Sequence, residues 1–114
     1  MGLRAFWGEI QAGRQLRELA RFARRLGLPQ GDYETAIEFL DHSEAGLCLD
    51  TILTQLHELE IPVSEDFLRL TQLIARGFSI DYSEVRYIED NVSASRVAGD
   101  IRDEISAYVA AVGA

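Results

Sequence analysis

Residues 41–66 read DHSEAGLCLDTILTQLHELEIPVSED, a stretch without a single Lys or Arg. Leu49, Ile52, Leu53, Leu56 and Leu59 recur in it at three and four residues, and carboxylates fill positions between them. That spacing follows the period of an α-helix, with one apolar side and one acidic side. Ile61-Pro62 breaks the pattern. Ser64 is then placed to cap the next helix, with Val63 and Leu68 as a hydrophobic staple around it.

The same period extends in both directions. Upstream, Ile10, Leu16, Leu19, Phe22, Ala23 and Leu26 form an apolar stripe on an Arg-rich helix that Gly27 and Pro29 should stop, with Gly13 allowing a break into two pieces. Phe6 and Trp7 are expected to cover the end of the core, the alternative being an exposed anchor. Asp32 is a suitable N-cap for a second helix carrying Tyr33, Ala36, Ile37 and Leu40. Downstream, Phe67, Leu70, Leu73 and Ile74 lead to a Gly77 cap, and Asp81 with Glu84 fits a capping pair before a short helix using Val85 and Ile88. A last helix from about Ser95 should bury Val97, Ile101, Ile105, Tyr108 and Val112. No segment alternates convincingly with period 2. The expectation is an all-α, compact single-domain bundle of about five or six helices spanning residues 1–114.

Charge is divided along the chain. The net charge is −8, and all 11 basic residues are Arg. Residues 1–30 hold six Arg against Glu9 and Glu18, whereas residues 31–114 hold five Arg against seventeen acids. Residues 31–66 alone carry ten acids and no Arg, so phosphate backbones should be repelled there. RQLRELARFARRL in the first helix has the pattern of a basic amphipathic membrane or nucleic-acid element. The same pattern fits a helix packed on the acidic body of its own chain, at residues 31–114, and that is the expectation.

Chemistry-bearing motifs are sparse. His42 lies beside Asp41 and four residues after Glu38, which allows a carboxylate–imidazole pair, but a metal needs three or four converging ligands and neither His57 nor Cys48 is placed to join. Cys48, the only cysteine, lies in an apolar helix, where a thiol behaves as a small buried hydrophobe with a raised pKa. There is no nucleophile elbow, P-loop, G-x-G-x-x-G or H-E-x-x-H. The expectation is a protein with no enzymatic activity, cofactor or metal. One cysteine forms no intramolecular disulfide, the start MGLRAFWGEIQAGRQLREL lacks a signal-peptide core, and no apolar run approaches the roughly 20 residues of a membrane span; a cytoplasmic location follows as the expectation.

From about Asp32 to Asp81, a little under half of the chain, the sequence resembles the MafI-type immunity proteins of bacterial polymorphic toxin systems. The likeness lies in His42, Ser43 and Glu44 as a His-Gly-Glu-like step; in Leu49, Leu53, Gln55, Leu56 and Glu58 along a helix ending in Q-L-x-E; in Ile61, Val63 and Ser64 as the cap; and in Leu70, Leu73, Ile74, Ala75 and Phe78 on the following helix. Ser43 stands where that pattern carries Gly, Leu47-Cys48 where Ala-Leu is more usual, and the first 30 residues lie outside it. The resemblance implies a protein that binds and neutralises the toxic C-terminal domain of a cognate effector; the acidic block makes a basic nuclease the leading candidate, with no direct contact to nucleic acid or membrane expected. Read from charge and not from the resemblance, the expected toxin-binding residues are Asp41, Glu44, Asp50, Glu58 and Glu60, carboxylates that would stand in for phosphates. A helical adaptor for a non-toxin partner is the alternative.

Overall fold

The computed structural model describes residues 3–113. Five α-helices follow one another among them: α1 (Leu3–Leu26), α2 (Gln30–Asp41), α3 (Ala45–Glu58), α4 (Glu65–Gly77) and α5 (Gly99–Val112). Between α4 and α5 the chain makes three 3₁₀ turns, Tyr82–Glu84, Arg86–Asn91 and Ala94–Arg96. The only pairing of strand type among the described residues is an isolated bridge, Val63 to Val92. The all-α bundle expected from the periodicity is what forms.

The core is built around α3. Cys48, Leu49, Ile52, Leu53 and Leu56 are all buried, and they meet Leu16 and Leu19 of α1, Phe67, Leu70 and Ile74 of α4, Ile88 and Ile105 in one cluster. α2 and the Arg86–Asn91 turn pack on α3, while α1 lies along α4 and also touches α2, α3 and α5. α1 runs unbroken through Gly13, because Ala12 and Leu16 on either side of it are held against neighbouring helices. Phe6 and Trp7 do not cover the core: they are 57% and 52% exposed, on the first turns of α1. Leu59, counted in the apolar stripe of the third helix, is 51% exposed because the helix has already ended at Glu58.

Four helices end by the same device. After α1, α2, α3 and α4 the chain places Gly27, Ser43, Glu60 and Ser79 at positive φ (131°, 61°, 54° and 56°). The N–H groups that follow turn back onto the last carbonyls, as in Leu28 to Ala23 (2.9 Å), Glu44 to Phe39 (2.8 Å), Ile61 to Leu56 (3.0 Å) and Ile80 to Ala75 (2.8 Å). This pattern satisfies carbonyls that a helix end leaves without partners, and it normally takes glycine at the left-handed residue. Three of the four ends do it without one.

Helix starts divide between expected and unexpected. Ser64 caps α4, its hydroxyl accepting the Phe67 N–H at 3.1 Å. Asp81 accepts the Ser83 N–H at 2.9 Å, which holds its carboxyl below the usual range, although Glu84 contributes only its backbone N–H, to the Asp81 carbonyl. Asp32 is not an N-cap: α2 begins two residues earlier, after Pro29, whose fixed φ of −57° and extended ψ of 146° aim the chain into the helix. Asp32 sits in the first turn instead, where a negative charge meets the positive end of the helix dipole. The last helix starts at Gly99 rather than Ser95, because Val97 and Ala98 are extended. Of its expected core residues Ile105 is fully buried, Val97 is buried ahead of the helix, and Ile101, Tyr108 and Val112 are half-buried.

Gly77 closes α4 for a different reason from the one its position suggested. The left-handed residue after α4 is Ser79, whereas a Cβ on Gly77 would lie 2.6 Å from the Ala12 Cβ and 3.3 Å from the Gly8 carbonyl oxygen. α1 and α4 cross at that point, so Gly77→Ala is expected to cost ~1–3 kcal/mol by overpacking. Ser79→Gly relieves a left-handed side chain and should be neutral or stabilising by up to about 1 kcal/mol. Urea unfolding of both variants checks this; the opposite signs would place the cap at Gly77. Leu53→Ala, a deletion at the centre of the core, should cost ~2–5 kcal/mol in the same assay.

Candidate protein-interaction surface

With its apolar side buried, α3 must turn its other side outward. Counting by helical turns, Glu44, Asp50 and Glu58 fall within an arc of about 120° opposite the buried residues, spread over about 21 Å of axis. All three are exposed. Glu44 immediately precedes α3 without its side chain capping a backbone N–H, and Asp50 accepts only the Thr54 hydroxyl, at 3.3 Å. Leu47, 49% exposed, lies within the same arc.

The other two expected residues are placed differently. Asp41 closes α2 and pairs with Arg17 of α1 at 2.7 Å, so a cation of its own chain already sits on it. Glu60 follows the end of α3 in the left-handed conformation and lines a cleft of about 380 Å³ with His57, Asp90, Asn91 and Arg96. Three of the five thus share one face of α3, Glu60 lies past the helix end in the cleft with His57 and Asp90, and Asp41 stands apart, tied to α1.

The 3₁₀ segment adds residues that the sequence did not single out. The Tyr87 and Thr54 hydroxyls are 3.1 Å apart, His57 Nε2 lies 3.1 Å from an Asp90 carboxylate oxygen, and the His57 and Tyr87 rings meet edge-on at 5.3 Å. Burial, ahead of the nearby Asp50 charge, pushes the Tyr87 hydroxyl pKa up, opposed by the Thr54 hydrogen bond. Asn91 fixes this segment in place: its side-chain amide donates to the carbonyls of Leu56 (2.8 Å) and Ile61 (2.9 Å), while its own carbonyl accepts the Val63 N–H at 2.9 Å. These partners lie 28 to 35 residues apart in sequence, so no local pattern announces them.

The groups weighed for chemistry sit as follows. Cys48 is fully buried, and burial pushes its thiol up to about 12. His42 is exposed at the end of α2, and its ring nitrogen bonds the Glu38 backbone carbonyl at 2.8 Å rather than the Glu38 carboxylate. Among the described residues no three His, Cys, Asp or Glu side chains converge on a point that would hold a metal ion. No described helix is long and apolar enough to cross a membrane.

The arginines of α1 reach several other elements. Besides Arg17–Asp41, Arg25 pairs with Glu104 of α5, and Arg24 donates to Gln30 Oε1 at 2.8 Å and to the Leu28 carbonyl at 3.1 Å. Arg21 pairs within α1, with Glu18 at 3.2 Å, and the Arg4 side chain lies outside the described residues.

What the geometry defines is a small all-α bundle presenting one side of an acidic helix to solvent. No protein-family model matches the chain, and neither the curated proteins nor the solved structures compared with it give a match.

His42 offers a test of this local geometry. Its bond to the Glu38 carbonyl raises its pKa above the ordinary 6.5, and the negative charges of Glu38, Glu44 and Asp41 act in the same direction. The protonated ring donates that bond, so its stabilisation is fully present below pH 6.5 and is lost as pH rises through the higher folded value. His42→Gln should remove this part of the decline in melting temperature above pH 6.5, and an NMR titration of the wild type should place His42 above 6.5. A value below it would contradict the bond.

Proposed function

We propose that this protein is an immunity protein, which binds and neutralises the toxic C-terminal domain of a cognate bacterial effector through the outward face of α3. The observation that carries the proposal is the row of exposed carboxylates Glu44, Asp50 and Glu58 along one side of a helix whose opposite side is the centre of the core, with Glu60 exposed just past its end. A rigid acidic face offers phosphate-like charge to a basic partner and steers its approach. A nuclease, whose own substrate is a polyanion, is the partner chemistry that such a face fits best.

Two features add support. The resemblance to the MafI-type family runs through the α2–α3 turn, where its pattern has Gly and this chain has Ser43 at a φ of 61°, a conformation natural to glycine. The shared step therefore coincides with a backbone requirement of the turn. Glu44, Asp50 and Glu58 form no ion pair among the described residues, so the face keeps its charge for a partner, whereas Asp41 is already tied to Arg17. A second reading, a helical adaptor for a non-toxin partner, is favoured by the exposed Phe6 and Trp7, which belong to α1 and not to the acidic row of α3.

Co-expression decides between them. The toxin domain encoded beside this gene should arrest growth alone and be tolerated when this protein is present. Exchanging Glu44, Asp50, Glu58 and Glu60 for amides should slow association at low salt by roughly tenfold or more and flatten its salt dependence, with helix content unchanged. Single changes should be uneven, one or two costing ~2 kcal/mol or more and the rest under ~1. Wild-type association of the fourfold variant at both low and high salt would remove the acidic face from the interface.

A further inference from the structure

A surface depression of about 480 Å³ lies where α1, the α2–α3 turn and the segment after α4 meet. Leu40, Phe78 and Ile80, each partly exposed, give it an apolar floor. Gly46 and Ile80 also line a second depression of about 240 Å³, which continues past Leu49 to Val85. The two are one groove, running from α1 across the first turn of α3 to the Tyr82–Glu84 turn.

Charge on this groove has one sign. Its charged lining residues are Glu9, Asp50 and Glu84, all exposed, and neither Arg nor His lines it. None of the three carboxylates forms an ion pair among the described residues.

Two glycines keep the groove open. Gly13, in the middle of α1, and Gly46, in the first turn of α3, both line it. Neither has positive φ, and a Cβ added to either would meet no atom within 4 Å. Glycine inside a helix weakens it relative to alanine, and the fold itself makes no demand for glycine at these two positions. Side chains there would instead fill the groove.

We infer that this groove is a docking site for a basic segment of a partner protein, one that seats an apolar side chain on Leu40, Phe78 and Ile80 between Lys or Arg residues facing Glu9, Asp50 and Glu84. The inference rests on the protein being a binder of a basic partner and specifies where and how that partner anchors. The apolar floor supplies the burial, and the one-signed rim selects the flanking charge.

The test uses the full chain, ¹⁵N-labelled, titrated with a synthetic helical peptide of Lys, Leu and Ala and with its Glu-for-Lys counterpart. The Lys peptide should shift the amides of Gly13, Gly46, Ile80 and Val85, and the Glu peptide should not. Gly13→Leu and Gly46→Leu should keep or raise the melting temperature while weakening peptide binding tenfold or more. If either fails to fold, Asp50→Asn with Glu84→Gln should weaken binding by several-fold in its place. Shifts centred elsewhere, equal binding of the Glu peptide, or unchanged affinity in folded variants overturn the inference. So do groove signals that move with protein concentration alone, which would make a second copy of this chain the occupant. The toxin domain separates this from the function itself: if it binds wild type and both Leu variants alike, the function stands and the groove falls. If it binds none of them while the Lys peptide fills the groove, the groove stands and the toxin assignment falls.

Discussion

The structure depends on one constraint: α3 must bury Cys48, Leu49, Ile52, Leu53 and Leu56 on a single side. A helix that does so has its other side fixed in orientation, and carboxylates can occupy only that side, since an ionised group without a partner is too costly to bury. The acidic row is therefore held by the best-packed part of the molecule. Everything else arranges itself around the buried side, with α2 and the Arg86–Asn91 turn flanking α3 and α1 packed on α4.

Concentrating negative charge on one body works against a compact state, and α1 answers it. Its arginines reach Asp41 on α2 and Glu104 on α5. Each such exposed pair contributes only ~0–1 kcal/mol, so their value lies in lowering the repulsion across the acidic body rather than in fastening the helices together. The fastening is apolar and steric, concentrated where Gly77 lets α4 approach Ala12 and Gly8 of α1.

Much of the helical bundle was legible from periodicity, because amphipathic helices write their buried faces into the spacing of Leu and Ile. Ser64 and Asp81 were legible as caps because a side-chain oxygen beside an exposed N–H is a local matter. Ser79, by contrast, took the left-handed position that Gly77 seemed to claim, and only the crossing with α1 shows what Gly77 is for. Asp32 looked like a cap because nothing local reveals that Pro29 can start α2 at once after the Gly27 turn. The short helix expected after Asp81 became 3₁₀ turns, held by Asn91 through bonds to Leu56 and Ile61 that no window of sequence contains. For the candidate surface, the carboxylates could be read directly, but their grouping could not. Asp41 is drawn off by Arg17, while Tyr87, Asp90 and the Leu40–Phe78–Ile80 groove floor depend on contacts between distant segments.

The central claim is that the outward side of α3 is where this protein meets its partner. Hydroxyl-radical footprinting of the free protein and of its complex with the proposed toxin partner tests it most directly, since side-chain oxidation reports exposure residue by residue. Leu47, exposed within the acidic arc, should lose most of its reactivity in the complex, while Phe6 and Trp7 on α1 keep theirs. Protection of Phe6 and Trp7 with Leu47 still fully reactive would contradict the account and put the interface on α1.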